Sequence, residues 1–107
     1  MTKEKKRYVI IYLKDGIDEE TFRKDLIDET INFVGVKGLS FFLPWIVFRK
    51  DNIFVIRTTV EGLKIFRSIL VLKGGVKGRS VRIIKVTGSL KKAKAISESL
   101  NSSMFSK

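Results

Sequence analysis

The first apolar run of the chain, residues 8–13, constrains the fold more than any other segment. Its aromatic and β-branched residues predict a strand, and alternate residues of a strand point to opposite faces of a sheet. Both faces are apolar here, so both must be covered. Two of the sheet's helices can cover one face. A third helix, a partner chain or stacked bases would cover the other. The two sets are Val9, Ile11 and Leu13 on one face and Tyr8, Ile10 and Tyr12 on the other.

A helix and a second strand are predicted next. Apolar residues recur at helical spacing beyond Asp18, which is a good N-cap, and Gly35 is placed to end the helix. Residues 39–50 form a second extended stretch, interrupted by Pro44. Because proline cannot donate a hydrogen bond to a neighbouring strand, this stretch is expected at the edge of the sheet or at a bulge.

The second half of the chain repeats the pattern and adds a helix. Residues 53–59 predict a third strand, joined to the second in a hairpin over residues 45–59. The remaining elements are a helix over 61–72, a strand over 81–86 and a last helix from Leu90. This order predicts an α+β fold: a ferredoxin-like, RNA-recognition-motif-like βαββαβ sandwich with a four-stranded antiparallel sheet and an extra C-terminal helix. Residues 1–107 are expected to be a single domain, ordered over about 6–100, with short polar tails.

Positive charge dominates most of the chain. It contains 22 lysines and arginines against 11 acidic residues, for a net charge of +11. Residues 1–29 hold seven basic and eight acidic residues, whereas residues 30–107 hold 15 basic and three acidic ones. A field of one sign favours a polyanionic partner, nucleic acid first and an anionic membrane surface second. The alternative is a protein that is simply lysine-rich.

The missing residue types argue against catalysis by the protein. Histidine and cysteine are absent, which removes the usual general base, the thiol nucleophile and most transition-metal ligands. We therefore expect no catalytic residue, no metal site and no cofactor bound by the protein. Asp25, Asp28 and Glu29 suggest a magnesium site, but a solvated helix face is the favoured interpretation. With no disulfide, no signal-peptide core and no apolar run of membrane-spanning length, a cytoplasmic protein is expected.

Two basic clusters are predicted to meet phosphates. One surrounds three glycines in residues 73–79, where the backbone lets a polyanion approach closely; a flexible connector is the alternative. The other follows Ser89, where lysines oppose the helix dipole unless an anion binds; ordinary surface lysines are the alternative. Arg57, in an apolar strand, either reaches RNA or pairs with an acid across the sheet. The predicted RNA-binding residues are Lys5, Lys6, Arg7, Arg57, Lys73, Lys77, Arg79, Arg82, Ser89, Lys91, Lys92 and Lys94.

Aromatic residues concentrate around Pro44. They could stack on bases or pack in a core, and Trp45 near an edge strand favours a contact with a protein partner. The third strand, residues 53–58, lacks the aromatic signature with which RNA recognition motifs read single-stranded bases, which disfavours recognition of that type. The predicted protein-interface residues are Phe41, Phe42, Trp45, Tyr8 and Tyr12.

Five segments carry a resemblance to a known family. They are Lys6-Arg7-Tyr8-Val9-Ile10, Phe33-Val34-Gly35-Val36-Lys37-Gly38, Pro44-Trp45-Ile46-Val47, Phe54-Val55-Ile56-Arg57-Thr58 and Val86-Thr87-Gly88-Ser89-Leu90-Lys91-Lys92-Ala93. Together they resemble the archaeal and eukaryotic ribonuclease P protein component 2 family. The resemblance runs through residues 5–95, and Gly88 before Ser89 departs from the family's Ser-Gly order.

This resemblance implies a specific role. Family members are non-catalytic subunits of ribonuclease P, the ribonucleoprotein endonuclease that removes the 5′ leader from precursor tRNA. Catalysis and the magnesium ions belong to the RNA. The implied partners are ribonuclease P RNA and a TIM-barrel-type protein subunit, with a homodimer inside a heterotetramer. The alternatives are a general RNA-binding or ribosome-associated module and a ferredoxin-like regulatory domain that binds a small molecule.

Overall fold

The computed structural model describes residues 6–14, 17–42 and 45–100, and for residues 36–42 it describes the backbone alone. Its elements follow the order expected from the sequence. The strands are β1 (Lys6–Leu13), β2 (Trp45–Lys50), β3 (Ile53–Thr59) and β4 (Val81–Thr87). The helices are α1 (Glu19–Phe42), α2 (Val60–Lys73) and α3 (Leu90–Ser99).

The strands form an antiparallel sheet in the order β2-β3-β1-β4. β1 is therefore central, between β3 and β4, and β2 is at an edge, as expected. β2 and β3 form the predicted hairpin, which turns at Asp51 and Asn52. The strand order and pairing confirm the predicted ferredoxin-like βαββαβ plan with a C-terminal helix. Pro44 itself lies outside the described residues.

One face of the sheet packs against α1 and α2. The ring of Phe22 on α1 lies 5.4 Å from that of Phe54 on β3, tilted at 48°, and Phe66 of α2 is fully buried beside them. Burial of one such side chain contributes about 1.5–3 kcal/mol. The buried members of this core are Val9, Ile11, Leu13, Ile17, Phe22, Leu26, Phe54, Ile56, Phe66, Ile69 and Val76.

Helix α3 covers the other face of the sheet and contacts all four strands. Its Ala93 is fully buried, and Ile96 and Leu100 pack at the margin of the same cluster. The sheet contributes Ile10, Tyr12, Ile53 and Val55 to this cluster. The sequence was compatible with a third helix, a partner chain or stacked bases on this face, and the structure shows the chain's own third helix there. While α3 is in place, bases cannot stack on the centre of this face.

Helix α1 is longer than the sequence predicts. Gly35 has φ 78° and ψ 176°, so the helix does break at the expected residue. The helical backbone then resumes and continues to Phe42, which means that the prediction of an extended stretch from residue 39 is wrong for residues 39–42. A short apolar run fits a helix as well as a strand. Proline disfavours a helical residue before it, so the boundary falls close to Pro44.

Side-chain caps fix the starts of the helices. Asp18 accepts hydrogen bonds from the Thr21 hydroxyl at 2.8 Å and from the Thr21 backbone N–H at 3.0 Å, which confirms the predicted N-cap of α1. These hydrogen bonds, and above all the one from the hydroxyl, hold the pKa of Asp18 below its ordinary value. At the start of α2, the Thr59 hydroxyl accepts from the Gly62 N–H at 2.9 Å.

Candidate nucleic-acid interface

The residues predicted to bind RNA lie at two opposite ends of the sheet. β1 begins with Lys6, paired with Thr59, at the end where β4 finishes and α3 begins. Residues 74–80 enter β4 at the other end, where Val81 pairs with Leu13. Strands of seven or eight residues separate the ends by about 20 Å. The basic-end group is Lys6, Arg7, Arg57, Ser89, Lys91, Lys92 and Lys94, the loop group is Lys73, Lys77, Arg79 and Arg82, and Lys5 lies outside the described residues.

The loop group surrounds a structured turn. Val76 is fully buried in the core, and its backbone exchanges two hydrogen bonds with that of Arg79, at 3.0 and 2.9 Å. Gly75 has φ 150°, and a Cβ at this position would lie 2.0 Å from the carbonyl oxygen of Arg79. The glycine-rich segment therefore closes into a tight turn that is fastened to the core, rather than forming the flexible connector considered from the sequence.

Two acidic residues of α1 hold this turn in place. Glu29 is 9% exposed, and its Oε1 accepts a hydrogen bond from the Lys77 backbone N–H at 3.1 Å. Oδ2 of Asp25 lies 3.3 Å from Nη1 of Arg79. The interpretation of the α1 acids as a solvated face is therefore wrong for these two. Within residues 6–14, 17–42 and 45–100, no group of three potential metal ligands forms a site.

At the basic end, α3 begins with exposed lysines and has no acid in its first turn. The Ser89 hydroxyl accepts a hydrogen bond from a backbone N–H of that turn at 3.4 Å, as a helix N-cap. Arg7 lies beside the preceding turn, since a Cβ on Gly88 would be 3.6 Å from its Nη1. Arg7 and α3 therefore form one positive surface, to which the start of the helix dipole adds. The exposed lysines are Lys91, Lys92 and Lys94.

The ion pairs of the described residues do not include the basic-end group. They join Lys24 to Glu20, Lys64 to Glu61 and Arg79 to Asp25. Cations without an acidic neighbour are the ones that can exchange small counterions for phosphates. On this criterion the basic end is the stronger candidate for RNA, and Arg79 of the loop group is already paired within the fold.

Arg57 lies in a row of residues across the sheet at the basic end. Its neighbours on the adjacent strands are Tyr8 and Trp45. One of the two interpretations of Arg57 was an ion pair with an acid across the sheet, and the residues directly opposite Arg57 are not acidic. Directly opposite residues share a face, with Cβ atoms about 5 Å apart. Trp45 is 51% exposed, so an accessible indole lies next to a half-buried arginine.

The aromatic residues predicted to contact a protein partner have different surroundings. Tyr12 is 6% exposed and lies beneath α3, and Tyr8 packs at the margin of the same cluster. The side chains of Phe41 and Phe42 lie outside the described residues. Trp45 is therefore the most accessible of the three aromatic side chains in this set that the structure describes.

One structural role of a cation was missed by the sequence analysis. Nζ of Lys50 donates hydrogen bonds to the carbonyl oxygens of Glu98 and Leu100, at 2.6 and 3.1 Å. A lysine from β2 thereby caps the C-terminal end of α3, where a positive charge is favourable. Because about half the chain separates the partners, no local pattern could have shown this contact.

The spaces between the sheet and the helices are filled with apolar side chains in the part of the chain that the structure describes. A polar pocket there would have favoured a small-molecule domain. The surface instead has a groove of about 120 Å³ beside Trp45, which is lined by Lys6, Trp45, Arg57, Thr58 and Thr59. Among the described helices, none is long and apolar enough to cross a membrane.

Comparison with known proteins identifies the fold. No family model matches the chain, and no curated protein matches its sequence. A chain in the cryo-EM structure of yeast ribonuclease MRP is similar in structure, with a TM-score of 0.64 and 18% sequence identity. The similarity covers 92% of this chain and 95% of that one. The two chains therefore share one fold over most of their length.

Proposed function

We propose that this chain is a non-catalytic, RNA-binding protein subunit of a ribonucleoprotein of the ribonuclease P and MRP type. The observation that carries the proposal is the structural similarity to a chain of yeast ribonuclease MRP, which extends over most of both chains. The net charge of +11 supports an RNA partner, as do the cations of the basic end, which have no acidic partner among the described residues, since each neutralised phosphate releases counterions.

Within that class, the resemblance of the sequence favours ribonuclease P and removal of the 5′ leader from precursor tRNA. The RNA would carry out catalysis with its magnesium ions. The protein would neutralise phosphates that repel one another in the active RNA conformation, so less magnesium would be needed. Arg7 and the lysines at the start of α3 are the residues that we propose for this contact.

Protein partners are part of the same proposal. The resemblance favours a TIM-barrel-type subunit and self-association within a heterotetramer. Val71 and Leu72 on α2 are 80% and 69% exposed, and with Arg67 and Ser68 they line a depression of about 340 Å³. Adjacent exposed apolar side chains of this kind are typical of protein contacts.

Cleavage of precursor tRNA tests the function directly. The assay contains the cognate ribonuclease P RNA and the TIM-barrel subunit at limiting magnesium, with and without this protein. We expect stimulation by the protein, and weaker stimulation when Lys91, Lys92 and Lys94 are all changed to alanine.

A charge-matched variant is the control. Changing Lys14, Lys24 and Lys64 to alanine removes the same charge outside the basic-end group, and we expect it to preserve most of the stimulation. RNA binding without any stimulation would instead indicate a general RNA-binding or ribosome-associated module. If the unmodified protein neither binds the RNA nor stimulates cleavage, any RNA-directed function is contradicted.

A further inference from the structure

The corner of the sheet where β2 and β3 meet the basic end is left open by α3. This helix starts beyond Thr87, at the β4 edge, and its last turn is held by Lys50 at the far end of β2. It therefore crosses the sheet diagonally. Trp45 begins β2 at the basic end, in the corner that this diagonal path leaves uncovered, and is 51% exposed.

Charge distinguishes the two depressions that Trp45 lines. One is the groove of about 120 Å³, whose charged lining residues are Lys6 and Arg57. The other is a wider depression of about 440 Å³ that Trp45 and Ile46 share with residues of α1. Its charged lining residues are Glu19, Glu20 and Arg23. An anionic ligand that touches the indole is therefore favoured on the Arg57 side.

We propose that this corner is a nucleotide subsite that binds one unpaired RNA base. The base stacks on Trp45, and its neighbouring phosphate lies between Arg57 and Lys6. An aromatic face beside two cations matches the two chemical parts of a nucleotide, a planar base and an anionic phosphate. This inference rests on the proposed RNA-binding function and specifies a part of the RNA that the function itself does not.

The base must be unpaired because of the geometry of duplex RNA. In an A-form helix the faces of the bases are occupied by their stacked neighbours, so a protein meets the phosphates, the 2′-hydroxyls and the shallow groove. Lysines alone would be sufficient to bind the phosphates of such a duplex. An exposed indole gains its full contact with a base that has left the stack. This recognition differs from that of RNA recognition motifs, because it uses the edge strand β2 and the third strand contributes Arg57.

Intrinsic fluorescence can test the subsite, because Trp45 is the single tryptophan of the chain. The full-length protein is titrated with a short single-stranded oligoadenylate and with an RNA duplex of the same length. Binding of each is measured in parallel by anisotropy of a label on the RNA. We expect the single strand to quench Trp45 with the same midpoint as the anisotropy change, and the duplex to bind with little quenching.

Variants separate the base from the phosphate. Trp45→Ala is expected to weaken single-strand binding about 10-fold, at the lower end of what stacking contributes, and to leave duplex binding unchanged. Trp45→Phe should recover part of the loss. Arg57→Gln should lower the salt dependence by about one counterion, and Arg57→Lys should not. The control is Lys64→Ala, which removes an exposed cation of α2 outside the basic-end group and is expected to leave the quenching unchanged.

The possible failures can be told apart. If single-stranded RNA binds without quenching Trp45, or binds Trp45→Ala with unchanged affinity, the subsite is refuted and the proposed function stands. If neither RNA binds, the proposed function and the subsite fail together. If Trp45 fluorescence responds to the TIM-barrel subunit and not to RNA, the corner is a protein contact and the subsite is likewise refuted.

Discussion

Both ends of the sheet carry predicted RNA-binding residues, seven in the basic-end group and four in the loop group, but the two ends differ in their acidic neighbours. At the loop end, Arg79 pairs with Asp25, and Glu29 accepts a hydrogen bond from the backbone of Lys77. The start of α1, which follows the end of β1 in the chain, has an acidic N-cap and two acids in its first turn. At the basic end, α3 starts with lysines and has no acid in its first turn.

This contrast shows that a count of basic residues does not identify a binding surface. A cation that already has an acidic partner gives up that contact when it meets a phosphate, so its net contribution to binding is small. A cation placed at a positive helix end is instead destabilising until an anion arrives. The loop end is therefore expected to respond to substitution through stability, and the basic end through affinity for RNA.

The largest effect on stability is expected for Gly75→Ala. The new Cβ would lie 2.0 Å from the Arg79 carbonyl oxygen, at a φ of 150° that residues with a side chain rarely adopt. We expect the free energy of unfolding to fall by about 3 kcal/mol, measured by denaturant titration. Gly88→Ala is the control, because its Cβ would make an ordinary contact at 3.6 Å with Arg7. Equal stability of the two variants would show that the turn at the loop end is not rigid.

A smaller loss is expected for Glu29→Ala. It removes the acceptor of the Lys77 N–H, and an unpaired backbone group in a partly buried site costs about 2 kcal/mol. Glu29→Gln keeps a side-chain oxygen and should restore most of the stability. Asp28→Ala, at an exposed position on the same helix, serves as the control. Stability is again read from denaturant titration, and RNA affinity should not change. A drop in affinity as large as that of the Lys91, Lys92 and Lys94 variant would contradict the division of roles between the two ends.

Most of the fold could be predicted from local sequence patterns. Residues 8–13 and 53–59 are short β-branched and aromatic runs, and Asp18 is followed by apolar residues at helical spacing, so β1, β3 and the start of α1 were predicted at nearly their observed bounds. The miss at residues 39–42 came from an apolar run that fits a helix and a strand equally well. Which element packs against the second face of the sheet depends on tertiary packing, which no single segment determines.

The candidate site was harder to predict because its residues come together only in the sheet. Arg57 and Trp45 are neighbours through strand pairing, and Lys6 joins them from the start of β1. Nothing in a local window shows these contacts. The acids that hold the loop did leave a signal, since Asp25 and Glu29 are four residues apart and therefore on one side of α1. Their partners, about 50 residues away, could not be found in this way.

Removing positive charge from the basic end should raise the free energy of unfolding, whereas the substitutions at the loop end lower it. Changing Lys91, Lys92 and Lys94 to alanine removes positive charge from the start of α3, so the free energy of unfolding should rise by about 0.5 kcal/mol at low salt. Lys73→Ala removes a lysine from the last turn of α2, where the charge is favourable, and should lower it slightly. Denaturant titrations at two salt concentrations would measure both changes. If the triple variant is less stable than the unmodified protein, its lysines contribute to the fold and the contrast between the ends is lost.

The smallest effect is expected for Asp18→Asn and appears in acid. Hydrogen bonds from Thr21 lower the pKa of Asp18 in the folded protein, so the folded state binds this proton less readily than the unfolded chain does. The resulting stabilisation is present above the unfolded pKa of about 3.9 and is lost as the pH falls through the lower folded value. Asparagine still caps the helix but does not titrate, so stability curves of the two proteins should converge as the pH falls below about 4. A constant difference between the curves across that range would show that the cap acts through its hydrogen bonds alone, and that the favourable charge at this helix start does not contribute to the contrast with α3.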